Sequence, residues 1–298
     1  MTTSNQMVQQ KMPFSVAVNT PSMQKLIANA LHDPARCARF TASIVSAVSV
    51  NQALQNCDRN TVISGALLGE SLNLSPSPQL GQYYLVPFNN KKKGMQDAQF
   101  VLGYKGYVQL ALRSGQYKSI NVEIVKQGEY KGRDHMTGDP RFQFLEDDDE
   151  WERLPVIGYM ASFEYLNGFR KVLYWSKEKM MNHADRYSAA FSRKAYENLI
   201  AGNIPQGEMW KYSSFWYKDF DSMAKKTMLR QLISKWGIMS TDMQSAYESD
   251  SRVIEETESG QLVPQVEEEP PQQIEEPQAA AQIPAQPAEP KQIDLSSL

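Results

Sequence analysis

Phe163–Val172 reads FEYLNGFRKV, two short runs of mixed apolar and charged residues joined at Asn167–Gly168. Asn-Gly is the strongest two-residue hairpin signal, because a type I′ turn needs positive φ at both central positions and these residues tolerate it. A two-residue loop there pairs Leu166 with Phe169, Glu164 with Lys171 and Phe163 with Val172. Opposite charges then face each other across the strands, and apolar groups do the same. The stretch predicts an antiparallel hairpin, and with it a fold that contains a sheet.

Outward from the hairpin, helical and extended signals both appear. Ser176 can cap a helix running toward Tyr187, and Phe215–Trp236 predicts a long helix closed by Gly237. Residues 188–214 between them carry no decisive pattern. On the N-terminal side, Tyr117–Lys126 predicts a strand, followed by a polar excursion or hairpin over Gly128–Asp149. Tyr83–Phe88 and Gln99–Tyr104 predict strands flanking a turn with Asn89–Asn90 and Lys91–Lys92–Lys93–Gly94, and Lys105–Ser114 a short helix ending at Gly115. A helix over Asp58–Leu72 puts Val62, Ile63, Ala66 and Leu67 on one face and is broken by Ser75–Pro78. Thr20–Pro21 and Asp33–Pro34 read as two further helix starts. The fold class is α+β, with one domain over about 19–247. Residues 1–18 and 248–298 are expected to be disordered.

Charge is divided unevenly along the 298 residues. The segment 248–298 holds 12 of the 34 acidic residues and 2 of the 31 basic ones, so residues 1–247 keep 29 basic against 22 acidic. A basic body with an acidic tail suggests a polyanion partner, although a tail of this kind also serves solubility alone. No apolar run reaches the ~18 residues that a membrane helix needs. Met1–Lys11 is polar, so a cytoplasmic protein is expected. Cys37 and Cys57 make neither a disulfide framework nor a zinc site and read as buried free thiols.

Two segments combine cations with aromatic rings. In QFVLGYKGYVQLALRSGQYK (Gln99–Lys118), Lys105, Gln109 and Arg113 share one helix face while Val108, Leu110 and Leu112 can pack inward. Gly103 and Gly106 bracket Tyr104–Lys105 and permit close approach of a ligand to the helix start. In FWYKDFDSMAKKTMLRQLISKW (Phe215–Trp236), Lys226 and Arg230 sit four apart on a helix that is apolar nearly all round. They call for an anionic neighbour, either a carboxylate such as Asp219 or Asp221 or a phosphate. Tyr104, Tyr107, Tyr117, Trp216 and Tyr217 stand near these cations, and bases stack on such rings, though for any single one of them a core position is the favoured reading.

Signatures of bond chemistry are weak. There is no G-x-x-x-x-G-K-[ST] loop for ATP, and His32, His135 and His183 have no metal spacing. Glu146–Glu150 reads as a solvated loop. Glu129–Tyr130–Lys131 matches a Glu-x-Lys nuclease element, so a metal-dependent nuclease is the competing function. No cofactor and no catalytic residue is expected otherwise.

At Leu74–Phe88 (LSPSPQLGQYYLVPF), Val101–Val122 (VLGYKGYVQLALRSGQYKSINV) and Met223–Gly237 (MAKKTMLRQLISKWG), the chain resembles RecT-type single-strand annealing proteins of phages and prophages. The resemblance spans roughly Ala66–Tyr247. It implies binding of single-stranded DNA, ATP-independent annealing, assembly into rings or helical filaments, and work beside an exonuclease and a host single-strand-binding protein. It also implies an α+β core in which a sheet and helices line a basic groove. By motif position, Lys105, Arg113, Lys118, Lys225, Lys226 and Arg230 would line that groove, with Tyr104 and Gln99 as stacking or polar contacts. Residues 188–214 depart from the pattern by being longer than in typical members. They include Arg193, Lys194, Trp210 and Lys211, and three roles stay open for them: extra DNA contacts, subunit packing or a passive loop.

Overall fold

The computed structural model describes residues 12–90, 93–256 and 261–265. Four helices come first: α1 (Phe14–Ala17), α2 (Pro21–Leu31), α3 (Pro34–Val50) and α4 (Arg59–Ser71), with a 3₁₀ turn at Gln52–Asn56 before α4. Proline at the first position starts α2 and α3, and Asp33 caps α3 by accepting from the Ala35 N–H. Thr20 precedes α2, but its hydroxyl donates back to the Ala17 carbonyl rather than capping the helix. Helix α4 is buried continuously from Thr61 to Gly69, so it is a central helix and not a one-faced one.

The hairpin β1 (Tyr83–Asn90) and β2 (Met95–Leu102) follows, then α5 (Tyr104–Arg113) and β3 (Tyr117–Lys126). The polar excursion becomes β4 (Tyr130–Arg133), β5 (Pro140–Phe142) and α6 (Asp148–Arg153). Next come β6 (Val156–Tyr165), β7 (Arg170–Ser176), α7 (Lys177–Tyr187), α8 (Arg193–Ile200) and a 3₁₀ segment at Gln206–Tyr212. The last elements are α9 (Phe215–Lys218), α10 (Phe220–Trp236), α11 (Thr241–Ser249), β8 (Arg252–Glu256) and β9 (Leu262–Pro264). Two antiparallel sheets, ordered β1-β2-β8-β9 and β3-β6-β7, and the small β4-β5 pair make the fold α+β, as the sequence predicts. α4 packs on β2 and β8, and α10 packs on α5 and β6.

The hairpin forms with a register one residue away from the expected one. Phe163 faces Lys171, Glu164 faces Arg170 and Ser162 faces Val172. The loop has three residues: the Gly168 N–H donates to the Tyr165 carbonyl (3.0 Å) and the Tyr165 N–H to the Phe169 carbonyl (2.8 Å). Gly168 takes the left-handed conformation at φ 85°, which closes a type I turn with a bulge rather than a type I′ turn. The slip turns Phe169 onto the face of Phe163 and Tyr165, 6.1 and 5.9 Å away between ring centroids. Aromatic pairs are worth about 0.5–1.5 kcal/mol beyond their buried area. Glu164 keeps an opposite charge in either register, since Lys118 reaches it at 2.6 Å. Ring packing therefore decides the register.

Both ends of the domain lie outside the expected limits of 19 and 247. Phe14 and Val18 are buried, so part of the segment read as disordered belongs to the core. At the other end, β8 pairs with β2 through Gln99–Val253 and Phe100–Arg252, and Val253 and Ile254 are buried. The compact unit runs to Gln265; residues 1–11, Lys91–Lys92, and 257–260 and 266–298 of the predicted tail lie outside the described residues. The expected helix over 215–236 breaks at Asp219, whose carboxylate accepts from the Ser222 N–H and starts α10 afresh. The acidic run is not a loop either. Asp147 caps α6, and Asp148, Asp149 and Glu150 occupy its first turn, where the helix dipole favours anions.

His183 on α7 lies edge-on to Trp175 at 5.0 Å and 4.6 Å from Tyr187. Burial first, then Lys179 and Lys235 nearby, push its imidazole down to about 4 from an ordinary 6.5. The folded state thus holds it neutral while the unfolded chain protonates it, so stability falls as pH drops from 6.5 toward 4. His183→Phe, which keeps the ring contacts, is expected to flatten the loss of melting temperature between pH 7 and pH 5. An unchanged slope by calorimetry would refute the assignment.

Candidate nucleic-acid interface

Gly103 and Gly106 set the site. A Cβ on Gly103 would lie 2.1 Å from the Gly81 carbonyl oxygen, and one on Gly106 would lie 2.2 Å from the Gln82 carbonyl oxygen. The Gly103 N–H donates to that Gln82 oxygen at 2.8 Å. The close approach expected for a ligand is thus made by the chain's own loop. Packing the loop on the start of α5 leaves a cleft of about 350 Å³, lined by Gln79, Leu80 and Gln82 on the loop and Tyr104, Lys105, Val108 and Gln109 on α5.

Cations and rings gather along it. Lys105 and Gln109 are exposed on one face of α5, as their spacing predicts. From α10, the Lys225 ammonium lies 5.7 Å from the centroid of the Tyr104 ring. Tyr84 of β1 packs on Phe215 of α9 with ring centroids 5.2 Å apart. The Tyr84 hydroxyl and the Lys105 side chain both lie within 3.4 Å of where a Gly81 Cβ would stand, so the Tyr84–Phe215 ring pair, the Lys225–Tyr104 contact and Lys105 border one surface. Burial and then Asp219 raise both phenols above their ordinary range. Both are neutral rings able to donate a hydrogen bond at neutral pH. Such a surface can hold phosphates with lysines and stack planar groups on rings.

The remaining candidates separate from this cluster. Lys226 is buried and donates to Asp250 at 2.7 Å, and Arg230 donates to the other Asp250 oxygen at 2.7 Å. Asp250 also accepts from the Leu102 N–H at 2.9 Å. The anionic neighbour these cations require is a protein carboxylate, but neither Asp219 nor Asp221: Asp219 caps α10, and Asp221 accepts from the Tyr159 hydroxyl at 2.6 Å. Asp250 thus neutralises both cations within the fold, with Lys226 buried and Arg230 half-buried. Arg113 turns to the end of α4, donating to the Leu72 carbonyl at 2.7 Å. Lys118 pairs with Glu164 while its side chain stays largely in solvent. Gln99 is half-buried in the middle of β2, opposite Val86 and Val253. Tyr107, Tyr117 and Trp216 are core rings, and Leu112 is exposed rather than packed inward. Residues that sequence reasoning missed are Tyr84, Phe215 and the loop Gln79–Gln82; the paired glycines were the signal, with the partner misread.

Glu129, the acid of the competing nuclease reading, is fully buried, and its carboxylate accepts the Lys126 and Leu145 N–H groups. A carboxylate enclosed in this way serves the β4 turn and presents no open face to a metal ion. Among the described residues, no group of three or more His, Cys, Asp or Glu is placed to hold a metal, and no helix is long and apolar enough to cross a membrane.

Together these features define an α+β protein with an open cleft bordered by lysines and neutral phenols. The chain belongs to the RecT family, whose model matches residues 38–266. It is 39% identical over 228 residues to the uncharacterized protein YqaK of Bacillus subtilis (strain 168), covering 76% of this chain and 67% of that protein. It is 35% identical over 114 residues to protein RecT of Escherichia coli (strain K12), covering 38% of this chain and 42% of that one. Membership supports a role in recombination by single-strand annealing and implies DNA binding.

Proposed function

We propose that the protein binds single-stranded DNA along the α5 cleft and anneals it to a complementary strand without ATP. The observation that carries this is the convergence of Lys105, Tyr104 and Lys225 with the Tyr84–Phe215 pair on one open surface. An annealing protein must hold phosphates and leave the pairing edges of the bases free. Lysines and ring faces do so with little sequence preference. The product duplex supplies the driving force, at about 1.4 kcal/mol per stacked step, so no bond chemistry is needed. By family membership the reading extends to ring or filament assembly in the cytoplasm, with an exonuclease and a host single-strand-binding protein as partners.

The test is Lys105→Glu combined with Lys225→Glu. Single-strand affinity is expected to fall at least tenfold. The slope of log affinity against log salt should become shallower by about 1.4, the loss of two phosphate contacts on a single strand. Annealing of labelled oligonucleotides should slow in parallel, with or without ATP, and the strands should stay at full length in magnesium. Unchanged affinity and salt slope would defeat the cleft model, and shortened strands would favour the nuclease.

A further inference from the structure

We propose that Trp210 is a nucleobase-stacking platform that continues the α5 cleft. This rests on the single-strand-binding reading above. Trp210 is 73% exposed, in a seven-residue 3₁₀ segment (Gln206–Tyr212) with no buried member. The core does not bury the ring or exposed Met209 beside it, so the indole face is open to a ligand. The segment is tied to the cleft at its far end. Tyr212 packs edge-on to Tyr217 at 5.1 Å, Ser214 donates to the Ala190 carbonyl at 2.8 Å, and Phe215 lies against Tyr84. Trp210 is five residues before Phe215, which keeps it within about 18 Å along the chain.

Charge selects the ligand class. Residues 188–218 hold four Lys/Arg (Arg193, Lys194, Lys211, Lys218) against two acids, Glu197 and Glu208; Arg193 pairs with Glu197 at 2.8 Å, so the positive excess rests on Lys194 and Lys218. The Lys211 ammonium lies over the Trp210 ring, 5.8 Å from its centroid, while pairing with Glu208 at 3.0 Å. A net-positive segment carrying an exposed indole beside a cleft with the same chemistry fits a base with its phosphate better than an apolar protein surface. A base stacked there would leave the strand's pairing edge open.

The experiment compares an oligothymidylate with an abasic deoxyribose-phosphate oligomer of equal length, using the full chain. Trp210→Ala should weaken thymidylate binding by roughly 5- to 150-fold and leave abasic binding unchanged, while Trp210→Phe retains most of the affinity. If Trp210→Ala changes neither affinity, the platform is wrong, although wild-type binding that still depends on Lys105 and Lys225 keeps the cleft reading intact. Equal weakening of both oligomers assigns Trp210 to folding or backbone contact and also overturns the stacking role. Failure of the wild type to bind either oligomer removes the cleft reading itself.

Discussion

Asp250→Asn is expected to destabilise the protein by about 3–5 kcal/mol, read as a lower urea midpoint at an unchanged m-value. Asp250 holds Lys226 and Arg230 at 2.7 Å each and ties both to the Leu102 N–H at the end of β2. An asparagine oxygen can still accept from Leu102, so backbone geometry is largely kept. What disappears is the single negative charge between two cations. Lys226 can respond by losing its proton, but an arginine cannot, and the Tyr247 ring, 4.2 Å away, and the Tyr107 hydroxyl are neutral partners that cannot replace the lost carboxylate charge. A loss below about 1 kcal/mol would mean that solvent reaches the pair and that its burial counts for little.

A pH signature accompanies the substitution. Burial alone would raise the Asp250 carboxyl, but Lys226 and Arg230 outweigh it and hold the group below the ordinary 3.8. Its stabilisation is therefore present above about pH 4 and is lost as pH falls through the depressed value. Asp250→Asn should flatten that acid limb. The limb lies below the window from 6.5 to 4 assigned to His183, so the two titrations are separable in one series of melts.

How much of this was legible in the sequence depends on the range of the interaction. Caps and strand runs are local, and Asp33, Ser176 and Tyr117–Lys126 fall where the residues put them. The hairpin register was not, because the ring contacts of Phe169 with Phe163 and Tyr165 decide it and local turn statistics do not contain them. The Asp250 site failed for a related reason. Averaged over 51 residues, the C-terminal segment is acidic and proline-rich, and that average hid Val253–Ile254, an apolar pair that enters the core beside β2. Two cations on a mostly buried helix did signal an anion. Only the tertiary fold could say that it lies in a strand-leading turn at the far end of the domain.

Gly106→Ala presents the same issue as a conflict between local and tertiary terms. In an isolated helix alanine would be favoured by about 1 kcal/mol. Here the added Cβ would meet the Gln82 carbonyl oxygen at 2.2 Å, the Leu102 Cδ1 at 2.8 Å and the Gln82 carbonyl carbon at 3.1 Å. The obstruction is mainly backbone, and that backbone is pinned twice: Gly103 donates to the Gln82 carbonyl at 2.8 Å, and the Gln82 side chain accepts from the Ser75 N–H at 2.7 Å. The loop cannot withdraw without breaking these bonds, so a destabilisation of about 3 kcal/mol or more is expected. Gly207→Ala is the control, since a Cβ there has no atom within 4 Å, and it should stay within about 0.5 kcal/mol of the parent. Because Gln82 also lines the cleft, any folded Gly106→Ala protein should bind single strands more weakly than its residual stability accounts for. Equal stability of the two alanine variants would mean that the loop floats free of α5, and the cleft would then have no fixed wall on which to hold a strand.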